Sequence, residues 1–201
     1  MLVKVAVTGG LSCGKSSICR IFKELGAHVV SSDEIVHNLL MSPTTPLGQQ
    51  VVALLGTDII VNGQIDRSII AKKVFNDRVL LQSLENIIHP AVFNEIDKQY
   101  QQLKDKDNLT FFVAEIPLLF ETNGESHYDY TVVVETSKKL SQERFKATTG
   151  HENEEYERRM ARQLPPEIKA ARADFVINNN GNLSQLRQAT VALNNFILLS
   201  T

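Results

Sequence analysis

The chain of 201 residues has no tryptophan, only two cysteines and no excess of positive charge. Cys13 and Cys19 are too few for a disulfide framework, and no second pair or histidine cluster joins them to suggest a zinc site. Lysine and arginine number 21 against 23 aspartates and glutamates, a net charge of −2. Bulk attraction to a nucleic acid or an anionic membrane is therefore excluded as a basis of binding, and neither is expected as a partner. No apolar run approaches the roughly 18 residues of a membrane span. The N-terminal Met-Leu-Val-Lys-Val-Ala-Val has neither the basic nor the apolar region of a secretory signal, so structure is expected from residue 2 and a reducing cytoplasm as the setting. What is present, 43% hydrophobic and 22% charged residues, is the balance of one globular domain.

Leu2 to Thr8 is short, valine-rich and nearly all apolar, the pattern of a strand buried on both faces of a parallel sheet. From Ser16, the residues Ile18, Ile21, Phe22 and Leu25 recur at helical spacing, and Gly26 ends the run as a C-cap. His28 to Ser31 reads as a second strand, which puts Asp33 at a carboxyl edge, where open α/β sheets bind ligands. Residues 34–106 read as helical and strand-poor, with Pro43 and Pro46 in a turn, Gly56 a stop, Asp66 and Asp77 N-caps, and Pro90 the first residue of a helix. Strands resume at 109–114 and 130–135. Ser137 then caps a charged helix through Phe145, and the polar stretch 146–157 reads as a mobile loop. A short strand at 175–177 and a last helix complete the chain.

The strongest signal is Gly9-Gly10-Leu11-Ser12-Cys13-Gly14-Lys15-Ser16, which fits G-x-x-x-x-G-K-[ST] between a strand and a helix. Such a loop wraps a polyphosphate with backbone N–H groups while the following helix turns its free amides and positive end to the same anion. Gly10, Leu11, Ser12, Cys13, Gly14, Lys15, Ser16 and Ser17 form the expected ATP-binding set. Within it Lys15 neutralises β/γ oxygens and Ser16 offers a hydroxyl to Mg²⁺. A dinucleotide fingerprint fits less well, because these glycines do not form G-x-G-x-x-G. The fold class follows: an α/β P-loop NTPase in three layers, α/β/α, with a parallel sheet of about five strands and a helical insertion. Position alone leaves Asp33 open between a proton acceptor, a holder of Mg²⁺ through water and a helix N-cap, and His89 between a substrate contact and a buried imidazole at a helix boundary. Cys13 lies where thiol pKa values fall, against a plainer reading as a small loop residue.

Thr8-Gly9-Gly10 with the phosphate loop, Asp33, Asp66-Arg67, Val74-Phe75, Ile88-His89-Pro90, the run Ile116 to Glu121, Gln163, and Ala173 to Asn179 together resemble the dephospho-CoA kinase family. The resemblance implies transfer of the γ-phosphoryl of ATP, with Mg²⁺, to the ribose 3′-hydroxyl of dephospho-CoA. It implies a core of 1–33, 107–139 and 161–201, a CoA-binding insertion at about 34–106 and a lid at about 140–160. Lys15, Asp33 as general base, and Arg144 are then the catalytic residues. Thr8, Asp33, His89, Pro117 and Leu118 contact the acceptor, and Glu115 acts with Ser16 on the metal through water. Arg158, Arg159 and Arg162 are possible further lid cations, and Glu121 is expected to pin an arginine. Ser12 stands where such proteins commonly have glycine, tolerable only with a negative φ or a reshaped loop. Ser31 replaces an aspartate, which removes a like charge near Asp33. The rival readings are another small-molecule kinase, such as a nucleoside monophosphate kinase, or a non-catalytic nucleotide-binding switch. A GTPase switch would need Asn-Lys-x-Asp, which the sequence lacks.

Overall fold

The computed structural model describes residues 2–75, 77–106 and 109–200. The chain divides into two compact units, Met1–Ser31 with Gln102–Thr201, and Ser32–Gln101. The core boundary expected at 107 lies outside the described residues.

The first unit is built on a five-stranded sheet in the order β2-β5-β1-β6-β7, with every pairing parallel. Its strands are β1 (Val3–Gly9), β2 (His28–Ser31), β5 (Phe111–Glu115), β6 (Tyr130–Glu135) and β7 (Phe175–Asn178). β1 is central, and Val5, Ala6 and Val7 are fully buried, as a strand covered on both faces requires. Val5 and Val7 face a cluster that takes Ile18, Ile21 and Phe22 from α1 (Lys15–Glu24) and Leu186, Leu193 and Ile197 from α9 (Leu183–Ser200). On the sheet's other side α8 (Pro166–Arg172) lies against β6. Helices on both faces of a parallel sheet give the expected three layers.

The polar stretch expected to be a loop is mostly helix. α6 (Lys138–Thr149) runs past Phe145 to a left-handed Gly150 cap, and α7 (Asn153–Met160) follows. Composition misled because the hairpin needs only two buried anchors. Phe145 and Tyr156 are both buried and meet edge to face at 5.7 Å, and Tyr156 also donates to Ser141 Oγ at 3.1 Å. Glu154 and Glu155 begin α7 and Arg158 and Arg159 end it, which complements the helix dipole.

The second unit holds α2 (Ser32–Leu39), α3 (Pro46–Leu55), β3 (Ile60–Val61), β4 (Gln64–Ile65), α4 (Arg67–Val74) and most of α5 (Arg78–Leu103). Its core gathers Leu40, Leu47, Val51, Leu55, Ile59, Ile65, Ile70 and Leu84. Asp66 caps α4 through the amides of Ser68 and Ile69, and Asp77 accepts the Leu80 amide at the start of α5. One expectation is refined here and one fails. β3 and β4 form a hairpin in a segment read as strand-poor, turning at Asn62-Gly63, both with positive φ. Pro90 lies inside α5 rather than at a helix start. A mid-helix proline costs about 3 kcal/mol, and packing overrides it: Leu84, Ile87, Ile88 and Ala91 form a helical stripe across that point, on the unit's core.

Candidate active site

The β1–α1 loop brings the expected phosphate-binding residues together in the first unit. Lys15 is buried, and its ammonium donates to the carbonyls of Gly9 at 3.3 Å and Gly10 at 2.7 Å, so the cation is folded over the loop it serves. Gly14 has φ +102, and a Cβ there would lie 2.2 Å from Asn179 Nδ2. That amide donates to Cys13 O at 2.8 Å and fastens the loop to the end of β7. Ser12 carries φ +50, so the loop neither avoids the left-handed region at this residue nor uses glycine to enter it. Cys13 is buried, with Sγ 3.9 Å from Lys15 Nζ.

Leu11, in the middle of the loop, is gripped from both ends of the α6–α7 hairpin. Ser141 Oγ donates to its carbonyl, and its own amide donates to Met160 Sδ at 3.5 Å.

Glu115, the last residue of β5, accepts the Ser16 hydroxyl at 2.8 Å. A hydroxyl and a carboxylate so close, beside a phosphate loop, form a hard oxygen donor set that suits Mg²⁺. Among the described residues no group of three or more His, Cys, Asp or Glu could hold a metal alone, so an ion here would need further oxygens from phosphate or water. Cys19 lies under the same pair, and burial, reinforced by the Glu115 charge, pushes its thiol well above the ordinary value.

Thr8 ends up beside the segment that follows β5, donating to Pro117 O at 3.3 Å, and Leu118 is the next residue along. Glu121 pins no arginine. Its partner is Lys169 on α8, at 2.8 Å, and the same carboxylate accepts the Leu164 amide. Lys169 is fully buried, and burial pushes its ammonium below the usual lysine range while Glu121 pulls the other way. The sequence reading missed it because a lysine on a short charged helix carries no mark of burial.

Arg144 on α6 donates to Thr136 Oγ1 and to Asn179 O, both at 3.2 Å. With Gly14, Ser17, Asn179 and Leu186 it lines a cavity of about 170 Å³ beside the first turn of α1. Arg158 and Arg159 both pair with Glu155. Arg162 lies just past α7 and is exposed.

Asp33 and His89 belong to the second unit. Asp33 is exposed in the first turn of α2, two residues after Ser31, the register partner of Glu115. The helix starts at Ser32, so Asp33 is not its N-cap. His89 lies within α5, where burial lowers its pKa from the usual 6.5 against an opposing pull from Glu85.

The dephospho-CoA kinase family model matches residues 3–185. A dephospho-CoA kinase of Protochlamydia amoebophila is 52% identical over 94% of this chain and 93% of its own length, and one of Chlamydia pneumoniae is 45% identical over 93% and 92%. Among solved structures, a dephospho-CoA kinase from Campylobacter jejuni superposes with a TM-score of 0.74 at 29% identity, covering 100% of this chain and 99% of the other. A shikimate kinase from Acinetobacter baumannii, 14% identical over 100% and 96% with a TM-score of 0.57, shares the fold alone.

Proposed function

The chain belongs to the dephospho-CoA kinase family, and from that membership we infer its reaction: transfer of the γ-phosphoryl group of ATP to the ribose 3′-hydroxyl of dephospho-CoA, giving coenzyme A and ADP. The match to that family over residues 3–185, with a relative 52% identical over 94% of the chain, carries this reading. The phosphate loop supplies its physical basis. Backbone amides of residues 10–16 and the buried Lys15 ammonium cradle the polyphosphate. Ser16 and, through water, Glu115 would hold Mg²⁺, whose charge offsets that of the β and γ oxygens.

The acceptor oxygen attacks the γ-phosphorus, the bond to the β–γ bridging oxygen breaks, and ADP leaves with that electron pair. Asp33 takes the hydroxyl proton, a role suited to an exposed carboxylate two residues past the register partner of Glu115. Arg144 brings a further positive charge to the loop. Thr8, Pro117, Leu118 and His89 are assigned to the acceptor. Catalysis on this reading is positioning and charge neutralisation.

The test follows ATP-dependent conversion of dephospho-CoA to CoA by mass, with adenosine and nucleoside monophosphates as competing acceptors. Preferential phosphorylation of dephospho-CoA is expected. Preference for a nucleoside monophosphate, or nucleotide binding without transfer, would replace the reading with one of its rivals.

A further inference from the structure

Lys169 is 0% exposed, yet all three ammonium hydrogens have acceptors: Glu121 Oε1 at 2.8 Å, Pro117 O at 3.1 Å and Gln163 Oε1 at 3.1 Å. These come from two segments that sequence keeps far apart. Pro117 and Glu121 follow β5, while Gln163 follows α7, where the chain returns from the helical hairpin to the sheet. Glu121 extends the junction, because Oε1 also accepts the Leu164 amide at 2.8 Å. The Pro117 carbonyl that Lys169 holds is the one to which Thr8 donates at the end of β1. The segment's other end carries Met160, the partner of the Leu11 amide in the phosphate loop.

Fastening α8 does not by itself require this cation. Arg172, one turn on, already donates to Phe120 O and Asn123 Oδ1, and its guanidinium lies 4.9 Å from the centre of the Phe120 ring. What Lys169 adds is the hold on Gln163 and, through Glu121, on Leu164. Between α7, the residues after β6 and the start of α8 runs a groove of about 800 Å³ lined by Tyr156, Met160, Gln163 and Pro165, so packing alone leaves this stretch room to shift.

We propose that Lys169 is a positioning residue for phosphoryl transfer: with Glu121 it pins residues 163–164 to the segment after β5, and so sets the trailing end of the α6–α7 hairpin, with Met160, at the phosphate loop. The inference rests on the kinase reading above.

Replacing Lys169 alone would leave Glu121 buried without its counter-charge, and the fold itself is at risk. The test therefore uses the double variant K169M/E121Q, in which methionine fills the lysine stem and the glutamine amide oxygen still accepts the Leu164 N–H. Four quantities are measured beside the wild type: melting temperature, ATP affinity by calorimetry, steady-state turnover of dephospho-CoA, and the rate of tryptic cleavage after Arg162. We expect a melting temperature within about 3 °C of wild type and ATP affinity within about threefold. Turnover is expected to fall at least about 30-fold and cleavage to quicken at least about tenfold. Turnover within about threefold of wild type overturns the proposal, as does unchanged cleavage, or a turnover loss matched by lost ATP affinity or lower melting temperature. A wild-type protein that does not phosphorylate dephospho-CoA refutes the kinase reading instead, and the cleavage comparison still tests the pin.

Discussion

Two glycines of one loop should respond to the same methyl group in opposite ways. In Gly14→Ala the new Cβ would stand 2.2 Å from Asn179 Nδ2 on a backbone with φ +102. An L-residue held in left-handed backbone costs about 1–2 kcal/mol. Asn179 must also swing away from Cys13 O, and its amide, on a residue only 5% exposed, would lose its partner, which costs about 1–3 kcal/mol. The sum centres on about 3.5 kcal/mol, and at about 2–4 °C per kcal/mol for a chain of this size the melting temperature should drop by about 7–14 °C. In Gly10→Ala the Cβ meets only the Met160 side chain, at 3.6 Å from Cε, and the backbone is outside the left-handed region. Its melting temperature should stay within about 2 °C. Thermal unfolding of both nucleotide-free proteins, followed by circular dichroism, makes the comparison. Equal melting temperatures would refute the argument that Asn179 and the loop backbone, rather than the phosphates, fix glycine at position 14.

Asp33→Asn is expected to lower turnover by about 10²–10⁴-fold while ATP affinity, measured by calorimetry, stays near wild type; near-normal turnover would remove the general base from the mechanism. Glu115→Gln should raise the Mg²⁺ concentration for half-maximal activity by about 10–100-fold, and an unchanged magnesium titration would end the role given to the Ser16–Glu115 pair. His89 should titrate below 6.5 in the folded protein, as read from its imidazole NMR shifts. Its contribution has a definite sign. Because the folded-state pKa is lowered, the unfolded chain takes up the proton first as pH falls, so stability is lost below about pH 6.5 and His89→Gln should flatten that loss. A His89 pKa above 6.5 would reverse the argument.

The phosphate loop was legible because its chemistry is local: strand, glycines, lysine and helix fall within a few turns of chain, and the apolar spacing of α1 agrees with the motif. Glu115 was legible too, as a carboxylate at the end of a buried strand. Lys169 was not, because its acceptors at Pro117, Glu121 and Gln163 meet only in three dimensions, and no periodicity marks a lysine as the centre of a packed junction. The α6–α7 hairpin was hidden by its composition, since two aromatic anchors are lost among charged neighbours. Pro90 misled in the opposite sense: local propensity called for a boundary, and the apolar stripe of α5 was stronger. The β3–β4 turn did leave a signal, Asn62-Gly63, overlooked because its flanking strands are two residues long.

The peptide of Leu11 has a single N–H, and the hairpin already uses it. A phosphate oxygen that takes this hydrogen would take it from the sulfur of Met160, an exchange confined to one amide, because Ser141 still donates to the Leu11 carbonyl and Lys169 with Glu121 still holds residues 163–164. Because the two partners exclude each other at that hydrogen, a stronger hold of Met160 would weaken nucleotide binding, by at most the factor by which the hold itself is strengthened. On the kinase reading, departing ADP would leave behind an amide for which a protein ligand is already waiting, and the energy that retains the nucleotide would be measured against a thioether as well as against water.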